Sequence, residues 1–175
     1  MNNLSIGRPN ATEYPPYAQE YLNLVVGSNV LDLLTTQLEE VQTLLKPVGD
    51  RRASEFAYAP GKWTVKQVLG HLIDSERIFS YRALCVARNE ANPLPGFEQD
   101  DYVAAGAFNE RPLNNLLDEF RAARLSTIAL FQNLPEQAWL RQGTANKCRV
   151  TVRGVAFHAA GHCAHHLKIL REKYF

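Results

Sequence analysis

Residues 152–170, VRGVAFHAAGHCAHHLKIL, contain four of the five histidines of this 175-residue chain. These four are His158, His162, His165 and His166. The segment follows Thr151, a residue type favoured at helix N-caps, which predicts a last helix that reaches about Lys173. Two imidazoles four positions apart lie one turn apart on the same helical face, close enough to hold a single metal ion. The pairs His158–His162 and His162–His166 both have this spacing.

The helical wheel of this segment favours the second pair. At about 100° per residue, one sector combines apolar side chains with two histidines and is expected to face the core. That sector contains Val155, Ala159, His162, His166, Ile169 and Leu170. His158 and His165 fall instead on a flank with small or polar residues such as Gly154, Gly161 and Lys168. We therefore expect His162 and His166 to point into the protein, although a change of register would recruit His158.

A further ligand has to come from another helix, because two imidazoles alone hold a divalent ion loosely. His71 is the histidine outside the last helix, and it lies about two turns inside a helix that starts at Thr64. Thr64 followed by Gln67 matches a capping box at that start. Antiparallel or diagonal packing of this helix against the last one would place His71 opposite His162 and His166.

Glu76 is the other candidate for the site. It falls in the apolar sector of the same helix, where a carboxylate without a partner is costly. We expect its partner to be the metal ion, a ligating histidine, or one of the arginines Arg82 and Arg124. Glu76 is also the candidate catalytic base, and the alternative role is a structural ion pair.

Hydrophobic periodicity predicts four long helices, over about 17–45, 64–89, 113–133 and 152–173. We expect a loop over 50–63, a long connection over 91–112 with at most one or two helical turns around 99–105, and either a small hairpin or an irregular excursion within 141–149. No βαβ alternation, P-loop, dinucleotide-binding fingerprint, GxSxG or HExxH motif is present. The expected fold class is therefore all-α, a four-helix bundle with long connections after its second and third helices.

Composition limits the classes of partner and compartment. At 19.7 kDa the chain has the size of one domain, so we interpret 1–175 as a single domain with an N-terminal arm (1–16) and a helical bundle (17–175). A net charge of +1 argues against nucleic acid as the principal partner. No apolar stretch is long enough for a membrane span or a signal peptide, which predicts a soluble, cytoplasmic protein without a membrane partner. Three cysteines without a CxxC pair fit a reducing compartment.

Three segments carry a resemblance to a known family. They are GKWTVKQVLGHLIDSERIF (61–79), PLPGFEQDDYV (93–103) and the terminal 152–170 segment quoted above. In this order and separation, with one histidine early in the second helix and an H-x3-H pair on the last, they resemble the DinB-like or YfiT-like metal-binding four-helix-bundle superfamily. The resemblance extends from about Tyr17 to the C-terminus.

The resemblance implies a site of three histidines, His71, His162 and His166, which matches the choice made from the wheel. It also implies an up-down-down-up bundle that often forms homodimers, and a divalent metal ion as cofactor, with zinc and nickel the expected ions. Members are described as metal-dependent hydrolases, and some relatives use low-molecular-weight thiols such as bacillithiol or mycothiol.

Three functional hypotheses follow. In the first, a hydrolase uses an ion with open positions to acidify water and act on a small-molecule substrate. In the second, a thiol S-transferase of the bacillithiol type uses the same ion to acidify a thiol. In the third, a stress or interaction protein without catalytic activity uses the ion to hold two helices together.

Overall fold

The computed structural model describes residues 6–175, and residues 1–5 of the predicted N-terminal arm lie outside the described part of the chain. The helices are α1 (Gln19–Asn23), α2 (Val30–Leu45), α3 (Asp50–Glu55), α4 (Val65–Ala87), α5 (Gln99–Ala105), α6 (Leu113–Gln132) and α7 (Val152–Ile169). Short 3-10 segments cover Pro16–Ala18, Phe108–Glu110 and Glu136–Leu140, and a π-helical turn, Leu170–Tyr174, continues α7. The strands β1 (Gln142–Ala145) and β2 (Cys148–Thr151) form an antiparallel hairpin in which Gly143 is opposite Val150.

The helices α2, α4, α6 and α7 form the bundle, and side-chain contacts define their directions. Gln42 on α2 donates to the Leu117 carbonyl of α6, whereas Leu34, earlier on α2, meets Arg124, later on α6, so α2 and α6 are antiparallel. Lys66 contacts the segment just before α6 and Arg77 pairs with Glu119, so α4 and α6 are parallel.

The last helix completes the topology. His71, near the start of α4, meets His162 on α7, and Phe79, two turns later on α4, meets His158, so α4 and α7 run antiparallel. Gln37 on α2 donates to the Ala160 carbonyl of α7, and α2 runs parallel to α7. The bundle is therefore up-down-down-up, and the predicted all-α fold class is confirmed.

Local signals account for the ends of the longest helix. Thr64 caps α4: its side chain accepts from the Gln67 backbone N–H at 3.2 Å, and the Gln67 side chain accepts from the Thr64 backbone N–H at 2.9 Å. The capping box predicted at this position is therefore present. The predicted hairpin, the helical turns at 99–105 and the Thr151 cap of the last helix are present as well.

The prediction of one continuous helix over 17–45 was wrong. The chain breaks between α1 and α2, where Gly27 has a φ of +114° that a helix does not allow. Asn29 then restarts the helix, because its side chain accepts from the Leu31 and Asp32 backbone N–H groups. The spacing of apolar residues gave no sign of the break, because Val25 in the connection between α1 and α2 is also apolar and buried.

The prediction of a loop over 50–63 was also wrong in its first part, which forms α3. This short helix has buried Ala53 on its inner side, and Asp50 at its start binds two neighbours. One carboxylate oxygen accepts from Lys66 Nζ at 2.9 Å and the other from the Leu113 backbone N–H at 2.6 Å. These tertiary contacts hold a helix that is too short to be stable alone.

Two apolar clusters form the core, one around Leu34, Phe131 and Phe157 and one around Leu69, Phe120 and Leu167. The N-terminal segment covers the start of α7. Glu13 accepts from the Thr151 hydroxyl and pairs with Arg153. Tyr14 of this segment is buried, whereas Tyr17 is 52% exposed.

Candidate metal centre

The structure brings His71, His162 and His166 together at the α4–α7 contact. His71 Nε2 lies 2.9 Å from His162 Nε2, and His166 Nε2 lies 3.2 Å from the same atom. One ligand atom from each of the three lies within 4.8 Å of the other two. Nitrogens that share an ion at about 2.1 Å are roughly 3 to 3.4 Å apart, so the three side chains fit one divalent ion.

Burial keeps the three imidazoles neutral. The pKa of His71 is lowered from 6.5 to about 4, first by burial and then by the charge of His165. The pKa values of His162 and His166 lie well below 6.5 because of burial and because the imidazoles are close together. Each ring therefore offers a lone pair at neutral pH, which a metal ligand requires.

Aromatic side chains fix the orientation of the rings. The Trp63 ring lies 4.8 Å from the His71 ring, and the Tyr21 ring lies edge-on 5.8 Å from the His162 ring. The sequence pattern alone assigned neither Trp63 nor Tyr21 to the site. The position of Trp63 just before the capping box was the one available signal, because His71 follows two turns later.

Two glycines bring the N-terminal segment onto α7. A Cβ at Gly161 would lie 2.6 Å from the carbonyl carbon of Tyr21, and one at Gly154 would lie 1.9 Å from the Glu13 carbonyl oxygen. At these two glycines, the flank of α7 that carries His158 and His165 is therefore covered by the backbone of the N-terminal segment. This is why Tyr21 reaches the histidines of α7.

His158 and His165 lie outside the group of three. His158 is buried one turn before His162, between Tyr21, whose ring is stacked 5.7 Å away, and Phe79 at 4.8 Å. His165 is half-buried and lies against Tyr21. The alternative register that would recruit His158 is not the one observed, since its imidazole is not part of the convergent group.

Glu76 is buried against α6, and its carboxylate pairs with Arg124, with Oε2 2.9 Å from Nη2. Arg124 is one of the partners expected for it. Glu76 lies five residues after His71, which turns it about 140° around α4 from the histidine face. Its Oε1 atom has no hydrogen-bond partner among the described residues. Its role as a catalytic base stays a prediction.

Cys163 is a buried thiol beside this ion pair. Burial raises its pKa, so the protonated form persists at neutral pH. This environment does not favour a role for Cys163 as a nucleophile.

A cavity of about 320 Å³ opens onto His166. Its walls carry aromatic rings and a few polar groups, among them Tyr58, Lys62, Trp63, Gln99, Asp100 and Tyr174. The first residues of α5 therefore cover one side of this cavity. Of the three histidines, His166 is the one that lines this cavity.

The fold and the site together define a four-helix bundle with a histidine cluster suited to a divalent metal ion between two of its helices. The chain belongs to the DinB superfamily, whose family model matches residues 29–170. No curated protein sequence gives a significant match.

Two solved structures share the fold. YfiT from Bacillus subtilis, described as a probable metal-dependent hydrolase with an unusual four-helix bundle topology, superposes with a TM-score of 0.68 at 16% identity, covering 96% of this chain and 94% of YfiT. A mycothiol-dependent maleylpyruvate isomerase superposes with a TM-score of 0.69 at 13% identity, covering 84% of this chain but 61% of the isomerase.

None of the described helices is long and apolar enough to cross a membrane.

Proposed function

We propose that this protein is a metal-dependent hydrolase in which His71, His162 and His166 hold one divalent ion. The observation that carries the proposal is the convergence of three buried, neutral imidazoles, with Nε2 atoms 2.9 and 3.2 Å from that of His162. Imidazole donors suit zinc and nickel, which are the ions we propose. The description of YfiT supports the same class of activity.

The side chains around the three histidines determine which groups a substrate would contact. The cavity at His166 admits a small molecule, and Trp63 and Tyr21 hold two of the imidazoles in place. With three protein ligands and no carboxylate among them, a bound divalent ion would keep open positions and would lower the pKa of water or of a thiol there. Lys62 and Asp100, which line the cavity, offer polar contacts to the part of the substrate that does not react.

Activity measured against metal content tests the proposal. Metal-free protein and protein reconstituted with zinc or nickel are assayed on panels of esters, amides and thiol-conjugation pairs. We expect hydrolytic turnover only with metal, at least about 100-fold lower in His71→Ala, and nearly unchanged in His165→Ala, which alters a half-buried histidine outside the group of three. Metal that raises the melting temperature without any turnover would contradict the proposal and favour a structural role for the ion.

Thiol transfer is the second candidate, and the fold shared with a mycothiol-dependent isomerase favours it. The same three histidines would serve it, because an acidified thiol and an acidified water both act as nucleophiles. Turnover in the thiol-conjugation panel without ester or amide hydrolysis would select this candidate.

The role of Glu76 as a base needs a separate test. We expect Glu76→Gln to change the pH–rate profile if this carboxylate takes up a proton during the reaction. An unchanged pH–rate profile would show that Glu76 is not the catalytic base and that its role is the structural ion pair with Arg124.

A further inference from the structure

Ser75 is a buried polar side chain whose hydroxyl has no partner within the fold. It lies in the middle of α4 and is 2% exposed, and its Oγ atom makes no hydrogen bond to any residue in 6–175. Within the same residues, the other buried side-chain atoms in this state are Glu76 Oε1 and Arg124 Nε, and those two side chains pair with each other through their remaining atoms. Because burying a hydroxyl without a partner is costly, packing of the helix alone does not account for a serine here.

The usual hydrogen bond of a helical hydroxyl is not formed by Ser75. A serine or threonine inside a helix commonly donates to the carbonyl four residues earlier. Thr127, which is 1% exposed on α6, does so and donates to the Ala123 carbonyl at 3.1 Å. The corresponding acceptor for Ser75 is the His71 carbonyl, and the Ser75 hydroxyl does not bond to it. The hydroxyl therefore remains able to bond to a molecule that binds in the interior.

Ser75 belongs to the stripe of α4 that faces the histidines of α7. The stripe repeats at every fourth residue, His71, Ser75 and Phe79, so its members lie one turn apart on one face of the helix. The residues on both sides of Ser75 contact the same imidazole. The His71 ring lies 4.9 Å from the His162 ring, and the Phe79 ring lies 5.6 Å from it. Ser75 therefore lies between two contacts of His162, one turn of α4 from His71.

The surroundings of the histidines give this hydroxyl a role. The rings of Trp63, Tyr21 and Phe79 contact the imidazoles, so the environment of the cluster is largely aromatic. The imidazoles themselves would use their Nε2 lone pairs on the ion. An oxygen atom that binds beside the ion would therefore need a hydrogen-bond donor from another side chain, and in apolar surroundings such a bond is strong.

We propose that the Ser75 hydroxyl donates a hydrogen bond to an oxygen atom of the ligand held at His71, His162 and His166. This proposal rests on the proposed function, because that oxygen belongs to the water or substrate beside the ion. It gives Ser75 the role of a donor that stabilises an oxygen atom as negative charge develops on it. The class of ligand that such a donor favours is a small molecule with a carbonyl or carboxylate oxygen.

The stability of the metal-free protein gives the first test. Ser80→Ala is the matched control, because Ser80 is half-buried on the same helix and is turned about 140° away from Ser75. Both substitutions share the gain in helix propensity from serine to alanine. We expect Ser75→Ala to raise the melting temperature at least as much as Ser80→Ala, since it removes a buried hydroxyl without a partner. A lower melting temperature in Ser75→Ala alone would show that the hydroxyl has a partner inside the fold and would overturn the proposal.

The affinity of the metal-loaded protein for a small anion gives the second test. Cobalt(II) replaces zinc because its visible absorption changes with its ligands, and formate or the poor hydrogen-bond acceptor iodide is then titrated. We expect formate to bind Ser75→Ala at least about 10-fold more weakly than the wild type. Ser75→Thr, which keeps the hydroxyl, and Ser80→Ala should stay within about threefold of the wild type. Iodide should not distinguish the variants, and cobalt itself should bind all of them equally.

The outcomes separate this proposal from the proposed function. Equal formate affinity in the wild type and Ser75→Ala, or no formate binding to the wild type, would overturn the role of Ser75 and leave a hydrolase that turns over with metal intact. A loss of cobalt affinity in Ser75→Ala would also overturn it, because the hydroxyl would then be a ligand of the ion. Formate binding that depends on Ser75 in a protein without hydrolytic turnover would support the donor and remove the hydrolase. Cobalt that does not bind the histidines would overturn both.

Discussion

At the scale of single residues, two kinds of buried polar group share the interior of the bundle. His71, His162 and His166 are uncharged and converge on one point, whereas Glu76 and Arg124 are charged and neutralise each other. The two groups lie on different faces of α4. The histidine cluster, which suits a cation, and the Glu76–Arg124 ion pair can therefore lie within a few helical turns of each other without the carboxylate or the guanidinium facing the histidines.

Removing one partner of the buried ion pair should be strongly destabilising. Arg124 is 1% exposed and also donates to the Leu34 carbonyl at 3.1 Å, so Arg124→Ala leaves both Glu76 and that carbonyl without their partner. We expect a loss of about 3 to 5 kcal/mol in the free energy of unfolding, measured by urea denaturation. Arg121→Ala on the exposed face of the same helix should change it by less than about 0.5 kcal/mol. Equal effects of the two substitutions would show that the ion pair has little part in stability.

The spacing of residues along the sequence predicted one part of the site and not the rest. The i, i+4 pair and the apolar sector of the wheel identified His162 and His166, because a helical period is local information. The position of His71 opposite them depended on how α4 and α7 pack, which spacing does not determine. Tyr21 could not be assigned to the site, since its place depends on the break before α2.

At the scale of elements, the contact between α1 and α7 positions the aromatic cover of the histidines. Gly161 permits it, because the backbone of Tyr21 and Leu22 occupies the space where a side chain would begin. The spacing of apolar residues in the sequence signals neither the break at Gly27 nor this contact. For this reason the continuous helix over 17–45 was predicted in their place. The ends of α4 and α6 and the start of α7, which carry local caps or a proline, were predicted to within two residues, whereas α7 ends at Ile169 and a π-helical turn continues it to Tyr174.

Adding a methyl group at this contact should separate the two elements. Gly161→Ala would place a Cβ 2.6 Å from the Tyr21 carbonyl carbon and 3.0 Å from the Leu22 nitrogen, both backbone atoms. We expect a loss of about 1 to 3 kcal/mol in the free energy of unfolding, together with altered NMR shifts of His158 and His162 as Tyr21 moves away.

Gly49→Ala is the matched control, because a Cβ there has no atom within 4 Å and the φ of −56° suits alanine. It should leave stability nearly unchanged. Histidine shifts that stay the same in Gly161→Ala would mean that the α1–α7 contact does not orient the rings.

At the scale of the whole molecule, burial of so many neutral histidines links stability to pH. The pKa values of His71 and His158 are each lowered from 6.5 to about 4, chiefly by burial. Above pH 6.5 these groups are neutral in both the folded and the unfolded chain and have no effect. Below pH 6.5 the unfolded chain binds protons that the folded chain does not bind until about pH 4, so stability falls through this window.

We therefore expect the metal-free protein to lose stability between pH 6.5 and pH 4.5, by about 1.4 kcal/mol per pH unit for each proton that the unfolded chain takes up in excess. Urea denaturation at a series of pH values measures the slope. His158→Phe should reduce the slope by about one proton. Stability that is constant or rises as the pH falls through this window would be inconsistent with buried, neutral histidines.

The central claim is that His71, His162 and His166 hold one divalent ion, and a competitive titration tests it most directly. Metal-free protein purified without an affinity tag is titrated with zinc and with nickel against a chromophoric chelator. We predict one ion per chain for the wild type and for His165→Ala, and an affinity at least about 100-fold lower for His162→Ala. An unchanged stoichiometry and affinity in His162→Ala would contradict the claim.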